Sequence, residues 1–206
     1  MNPYLTSLLD AISIDIDHLK NEYLSDNELT YLNEILKSEQ DFELDFYTAE
    51  HGNNLECLLM FLSAHKRVII DLMQGKGNNE TLIHLYTSSI VSGSYGCFRF
   101  NLSKFRQTFV PSNEVITVYR IGRDTENQGN LGCSWATSID GLKAYCDASS
   151  LSKSMLNFRP IFVATVDDSQ VLFEGNKTEQ ELVLKPDFKY HMLDYLDEQL
   201  RINIGR

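Results

Sequence analysis

Residues 115–121 read Val-Ile-Thr-Val-Tyr-Arg-Ile, and three shorter runs of the same kind follow, Ile161 to Val166, Val171 to Phe173 and Glu181 to Leu184. β-Branched and aromatic residues suit a pleated, half-buried surface, and turn residues separate these runs, so the chain from about residue 110 reads as sheet. One helix stands out within it, opening near Asp140 and carrying Leu142, Ala144 and Tyr145. Before residue 110 the apolar period changes to that of a helix. Asn2 is placed as an N-cap with Pro3 at the first helical position, and Leu5, Leu8, Leu9 and Ile12 line one face. A capping box from Ser25 to Glu28 opens a second helix through Leu29, Leu32, Ile35 and Leu36. Asn54 to Met73 is apolar around most of its circumference and ends at Gly75, which predicts a central buried helix. A further helical pattern runs through Leu82, Leu85, Tyr86 and Ile90 to Gly93 and Gly96.

These patterns predict an α+β chain, with a helical N-terminal subdomain over residues 1–110 and a mainly β core over 111–206, packed together as one unit. With 206 residues, 43% of them hydrophobic, the chain can bury a core without metal or disulfide staples. A formal charge of -11 disfavours approach to phosphate backbones, which depends on Lys and Arg displacing counterions. Cys57, Cys97, Cys133 and Cys146 form no CxxC pair and the five histidines show no ligand spacing, so no metal site is expected. The first ten residues lack a basic n-region and no run is long enough to span a bilayer. A cytoplasmic protein with free thiols, without signal peptide or membrane segment, is the expectation.

Three segments carry chemical interest: Val118-Tyr119-Arg120-Ile121-Gly122, Gly132-Cys133-Ser134-Trp135-Ala136-Thr137, and Glu179-Gln180-Glu181-Leu182-Val183. Arg120 shares its side of a strand with Ile116 and Val118, so it needs either a bound anion or an internal carboxylate. On an extended run Glu179 and Glu181 emerge on one face, roughly 7 Å apart, with Gln180 pointing away. Two such glutamates at an edge strand also serve as solvated charge against aggregation. Trp135, the single tryptophan, suits a core anchor whatever the function.

In this order the three segments resemble the Arg-Ser-Glu signature of the ADP-ribosyltransferase family, the cholera-toxin-like class that includes arginine-modifying enzymes. The resemblance covers residues from about 115 to 185. It implies a split two-sheet β-sandwich that holds NAD, the substrate. Residues 110–206 alone are short for that fold, so the helical N-terminal part is expected to pack on the sheet and complete one wall of the nucleotide cleft. Arg120 would hold the NAD pyrophosphate through its planar fork of donors. Glu181 would bind the ribose and stabilise the oxocarbenium-like centre left by departing nicotinamide. Glu179 would orient or deprotonate the acceptor, and Ser134 would hydrogen-bond Glu181 or the ribose. Tyr119, Gly122, Trp135 and Thr137 complete the nucleotide-contacting set that the resemblance implies, and the loop Gly175-Asn176-Lys177-Thr178 would select the acceptor. Ile121 intervenes before Gly122, and Ala136 stands where the family's Ser motif has its third position.

The expected function is therefore mono-ADP-ribosyl transfer from NAD to a macromolecular acceptor, a protein side chain such as arginine ahead of RNA or DNA. A bacterial or phage toxin or effector, held by an antitoxin or immunity partner, fits a small acidic transferase. The alternatives are an NAD glycohydrolase, in which water replaces the acceptor, and a non-catalytic acidic interaction module of the immunity or antitoxin kind.

Overall fold

A computed structural model of the chain describes residues 1–48, 53–92, 97–149, 151–196 and 204. It divides into two compact units, Met1–Phe105 and Arg106–Arg206.

The first unit is helical: α1 (Pro3–Ala11), α2 (Ile16–His18), α3 (Asp26–Ile35), α4 (Glu39–Glu43), α5 (Asn53–Ala64), α6 (Lys66–Met73), α7 (Asn79–Tyr86) and α8 (Ser89–Ser92). Its starts follow from local chemistry. The Asn2 side chain accepts the Leu5 N–H at 2.8 Å. At α3, Ser25 and Glu28 close the capping box from both sides. The predicted single helix from Asn54 to Met73 is two helices, because His65 leaves helical geometry at φ -107°, ψ 14°. Gly75 ends the second of them at φ +72°, a conformation that favours glycine. Gly93 and Gly96, expected as stops, lie outside the described residues. Leu5, Leu8, Leu9 and Ile12 are fully buried, as are Leu58, Leu59 and Leu62 of α5. Phe61 packs against Phe98 with ring centroids 5.0 Å apart. Among the described residues no helix is long and apolar enough to cross a membrane.

The second unit contains β1 (Val115–Ile121), β2 (Ser134–Ala136), α9 (Ile139–Ala148), α10 (Lys153–Phe158), β3 (Ile161–Asp167), β4 (Val171–Glu174), β5 (Glu181–Leu184) and β6 (Met192–Tyr195). The strands form one antiparallel sheet in the order β4-β5-β2-β1-β3-β6. On one face Val118, Trp135, Phe162, Ala164 and Leu182 make a core. On the other, Ile121, Ala136 and Ile161 pack with Leu142 and Cys146 of α9 and Leu156 of α10.

The chain is thus α+β, but two expectations change. The predicted pair of sheets is a single hydrogen-bonded sheet, because β1 pairs with β2 as well as with β3. That central join is thin: Tyr119↔Ala136 is its one registered pair, whereas β1 and β3 are in register from Val115↔Asp167 to Ile121↔Ile161. The second change concerns the glutamates. Glu179 is not on an extended run with Glu181 but in the turn 177–180, because Gln180 adopts a left-handed φ of +49°. Nor is β5 an edge strand, since it lies between β4 and β2.

Candidate active site

The β4–β5 hairpin closes through a tight loop whose geometry is set by Gly175 and Asn176. The Gly175 N–H donates to the Glu181 carbonyl at 2.9 Å, and the Glu181 N–H returns to the Asn176 carbonyl at 3.0 Å. The Asn176 side-chain oxygen accepts the Thr178 N–H at 2.9 Å, the asparagine turn chemistry that shapes such loops. Asn176 then holds both carboxylates. Its backbone N–H donates to Glu181 Oε2 at 2.8 Å, and its Nδ2 donates to Glu179 Oε1 at 3.3 Å.

From the neighbouring strand, the Ser134 hydroxyl donates to Glu181 Oε1 at 2.5 Å. Register explains the meeting: Ala136 pairs with Glu181 and Ser134 with Val183, so Ser134 and Glu181 share one face of the sheet. Each Glu181 oxygen has one fixed donor, which holds the carboxylate in place and leaves lone pairs for a ligand. Glu179 is only 6% exposed. Burial, and then the charge of Glu181, push its carboxyl up to about 7. A carboxyl raised in this way is suited to take up and release a proton near neutral pH beside Glu181.

Arg120 meets an internal carboxylate, the second of the two partners its strand position allowed. Its Nε and Nη2 donate to Glu126 at 2.5 and 2.9 Å, and its Nη1 donates to the Ser134 carbonyl at 2.7 Å. Glu126 also accepts the N–H groups of Gly132 and Arg123. Burial opposes its ionisation, but the Arg120 guanidinium and these two N–H groups outweigh it and hold the carboxyl below its ordinary value. Ser134 therefore joins two clusters, by its hydroxyl to Glu181 and by its carbonyl to Arg120.

The remaining candidates are spread around these clusters. Tyr119, half-buried, stands in a cross-strand row with Ala136 and Glu181, on their face of the sheet. Trp135 points to the opposite face, 1% exposed, with its indole N–H on the Gly132 carbonyl at 2.8 Å. Thr137 braces the turn: its N–H donates to the Gln180 carbonyl at 3.0 Å, and its hydroxyl lies 3.4 Å from the same oxygen. Gly122 is a packing position, since a Cβ there would overlap the Phe162 ring and Pro160. Among the described residues no group of three His, Cys, Asp or Glu side chains is arranged to hold a metal ion.

No family model, curated protein or solved structure matches this chain. The site has to be read from its own geometry. Two of its members, Glu126 and Asn176, escaped the sequence reading as individuals. Asn176 carried a signal, an Asn-Lys-Thr turn directly before the glutamates, whereas Glu126 sits in an ordinary polar loop with nothing to single it out.

Proposed function

We propose that the Arg106–Arg206 unit is a mono-ADP-ribosyltransferase that uses NAD as its substrate. The observation that carries the proposal is the hydroxyl-locked carboxylate of Glu181 beside a second, buried carboxyl, Glu179, both held by Asn176. Glu181 accepts a hydroxyl of the nicotinamide-side ribose and stabilises positive charge as the C1′–N bond breaks and nicotinamide leaves with the electron pair. The acceptor nucleophile then bonds to C1′ and gives its proton to Glu179. The Tyr119 ring, on the same face two strands from Glu181, supplies a flat surface beside the nucleotide. The resemblance implies two sheets where the chain forms one, so the proposal rests on the side chains around Glu181 and not on the sheet architecture. The charge of -11 favours a protein acceptor over nucleic acid.

The test is incubation of wild-type and Glu181→Ala protein with labelled NAD and a cell lysate, following nicotinamide release and label in the protein and RNA fractions. Label carried into protein by the wild type and lost in the variant is the expected result. Nicotinamide release without transfer makes water the acceptor and the protein a glycohydrolase. Neither turnover nor NAD binding overturns the enzyme reading and leaves the interaction module.

A further inference from the structure

The connection from β1 to β2 wraps around one guanidinium. Arg120 projects from β1, and Gly132 at the far end of the connection lies so close that a Cβ there would overlap the guanidinium. Between them, Glu126 brings a side chain only 5% exposed back onto Arg120. Four donors converge on that carboxylate: Arg120 Nε and Nη2, the Gly132 N–H at 2.8 Å and the Arg123 N–H at 3.1 Å. The other side of the guanidinium holds the Ser134 carbonyl. A carboxylate bound in this way neutralises the arginine and fixes its plane. A diphosphate approaching Arg120 meets an ion pair instead of a free cation, so charge alone gives it little reason to bind there. What the pair does hold is the backbone of Ser134, whose hydroxyl in turn holds Glu181.

We propose that Glu126 is a positioning residue of this site, acting through Arg120 and the Ser134 carbonyl to set the Glu181 carboxylate. The role presupposes the transferase reading of the site. Its consequence is a division of labour: Glu126 and Arg120 form one unit that governs the chemical step, and substrate affinity is carried elsewhere.

Glu126→Gln keeps the shape of the side chain and removes its charge, Arg120→Lys keeps the charge and removes the fork, and the double variant tests their coupling. For the full chain, kcat and KM for NAD are measured together with amide exchange at Arg123 and Gly132. Each single variant is expected to lower kcat by about tenfold or more with KM within about threefold, and the double variant to be no worse than the poorer single one. Exchange at Gly132 should quicken about tenfold in Glu126→Gln. The proposal is overturned if Glu126→Gln leaves kcat and exchange unchanged. It is equally overturned if Arg120→Lys raises KM alone while Glu126→Gln lowers it, since Glu126 is then a competitor of the phosphates. Should Glu126→Gln not fold, Glu126→Asp, which retracts the carboxylate by one methylene, reads the same quantities. A wild type that turns over no NAD defeats the transferase reading. In that case the exchange data still decide whether Glu126 orders the connection to Ser134.

Discussion

Gly175 and Glu181 are packed so closely that a Cβ at residue 175 would overlap the Glu181 carboxylate. The overlap falls on the end of a flexible side chain, which can swing aside. Gly175→Ala is therefore expected to cost the fold about 1 kcal/mol, because turning Glu181 away gives up its bonds to the Ser134 hydroxyl and the Asn176 N–H. Thermal melting should fall by only a few degrees, whereas NAD turnover should drop by about tenfold or more. A variant with wild-type turnover would mean that the Glu181 orientation does not limit the reaction.

Gly132→Ala should behave differently. There the added methyl meets a guanidinium fixed by three hydrogen bonds, so neither partner yields easily. A loss of about 1–3 kcal/mol in denaturant unfolding is expected, larger than for Gly175→Ala.

Glu179 gives stability a pH dependence. Its carboxyl, at about 7 in the fold, is raised from 4.5 first by burial and then by Glu181. Between those values the folded protein holds a proton that the unfolded chain has released. The stabilisation is complete below about pH 4.5 and is lost as the pH rises through 7. Wild-type protein should melt at a lower temperature at pH 8 than at pH 5.5, and Glu179→Gln should lose much of that difference. Turnover that needs the ionised form should climb through pH 7 in the wild type, and Glu179→Gln should abolish the climb.

Trp135 offers a clean optical probe, being the single tryptophan and 1% exposed. Its emission should be blue-shifted in the native state and should move to the red on unfolding. Trp135→Ala should cost about 3–5 kcal/mol, because it empties a site packed against Phe188 and the core of that face. Emission typical of exposed indole in the native protein would contradict the packing.

Much of the fold was legible where local chemistry decides it. The run Val115–Ile121 is β1 to the residue, and the caps at Asn2 and Ser25 start their helices as expected. β2, of three residues, and β6, whose side chains are mostly exposed, carry too little alternation to be seen alone, and α10 passed unnoticed for the same want of length. The Glu-x-Glu geometry failed for a tertiary reason: the left-handed turn at Gln180 is held from another segment, by the Thr137 N–H on its carbonyl and the Ser138 hydroxyl on its side chain. The resemblance left Ser134 either Glu181 or the ribose as its partner, and only the strand register, which no single segment announces, brings its hydroxyl onto Glu181. The capture of Arg120 by Glu126 was open as a class of partner and invisible as a residue, since nothing in a polar loop announces which carboxylate folds inward.

The single registered pair between β1 and β2 has a mechanical meaning. Ser134 and Glu181 ride on one three-strand panel, Tyr119 and Arg120 on the other, and few backbone bonds cross the seam. A ligand that touches Tyr119 and Glu181 at once would act as mortar in that seam. Its affinity would then be spent partly on stiffening the sheet, and its arrival would register as slowed exchange in amides it never contacts.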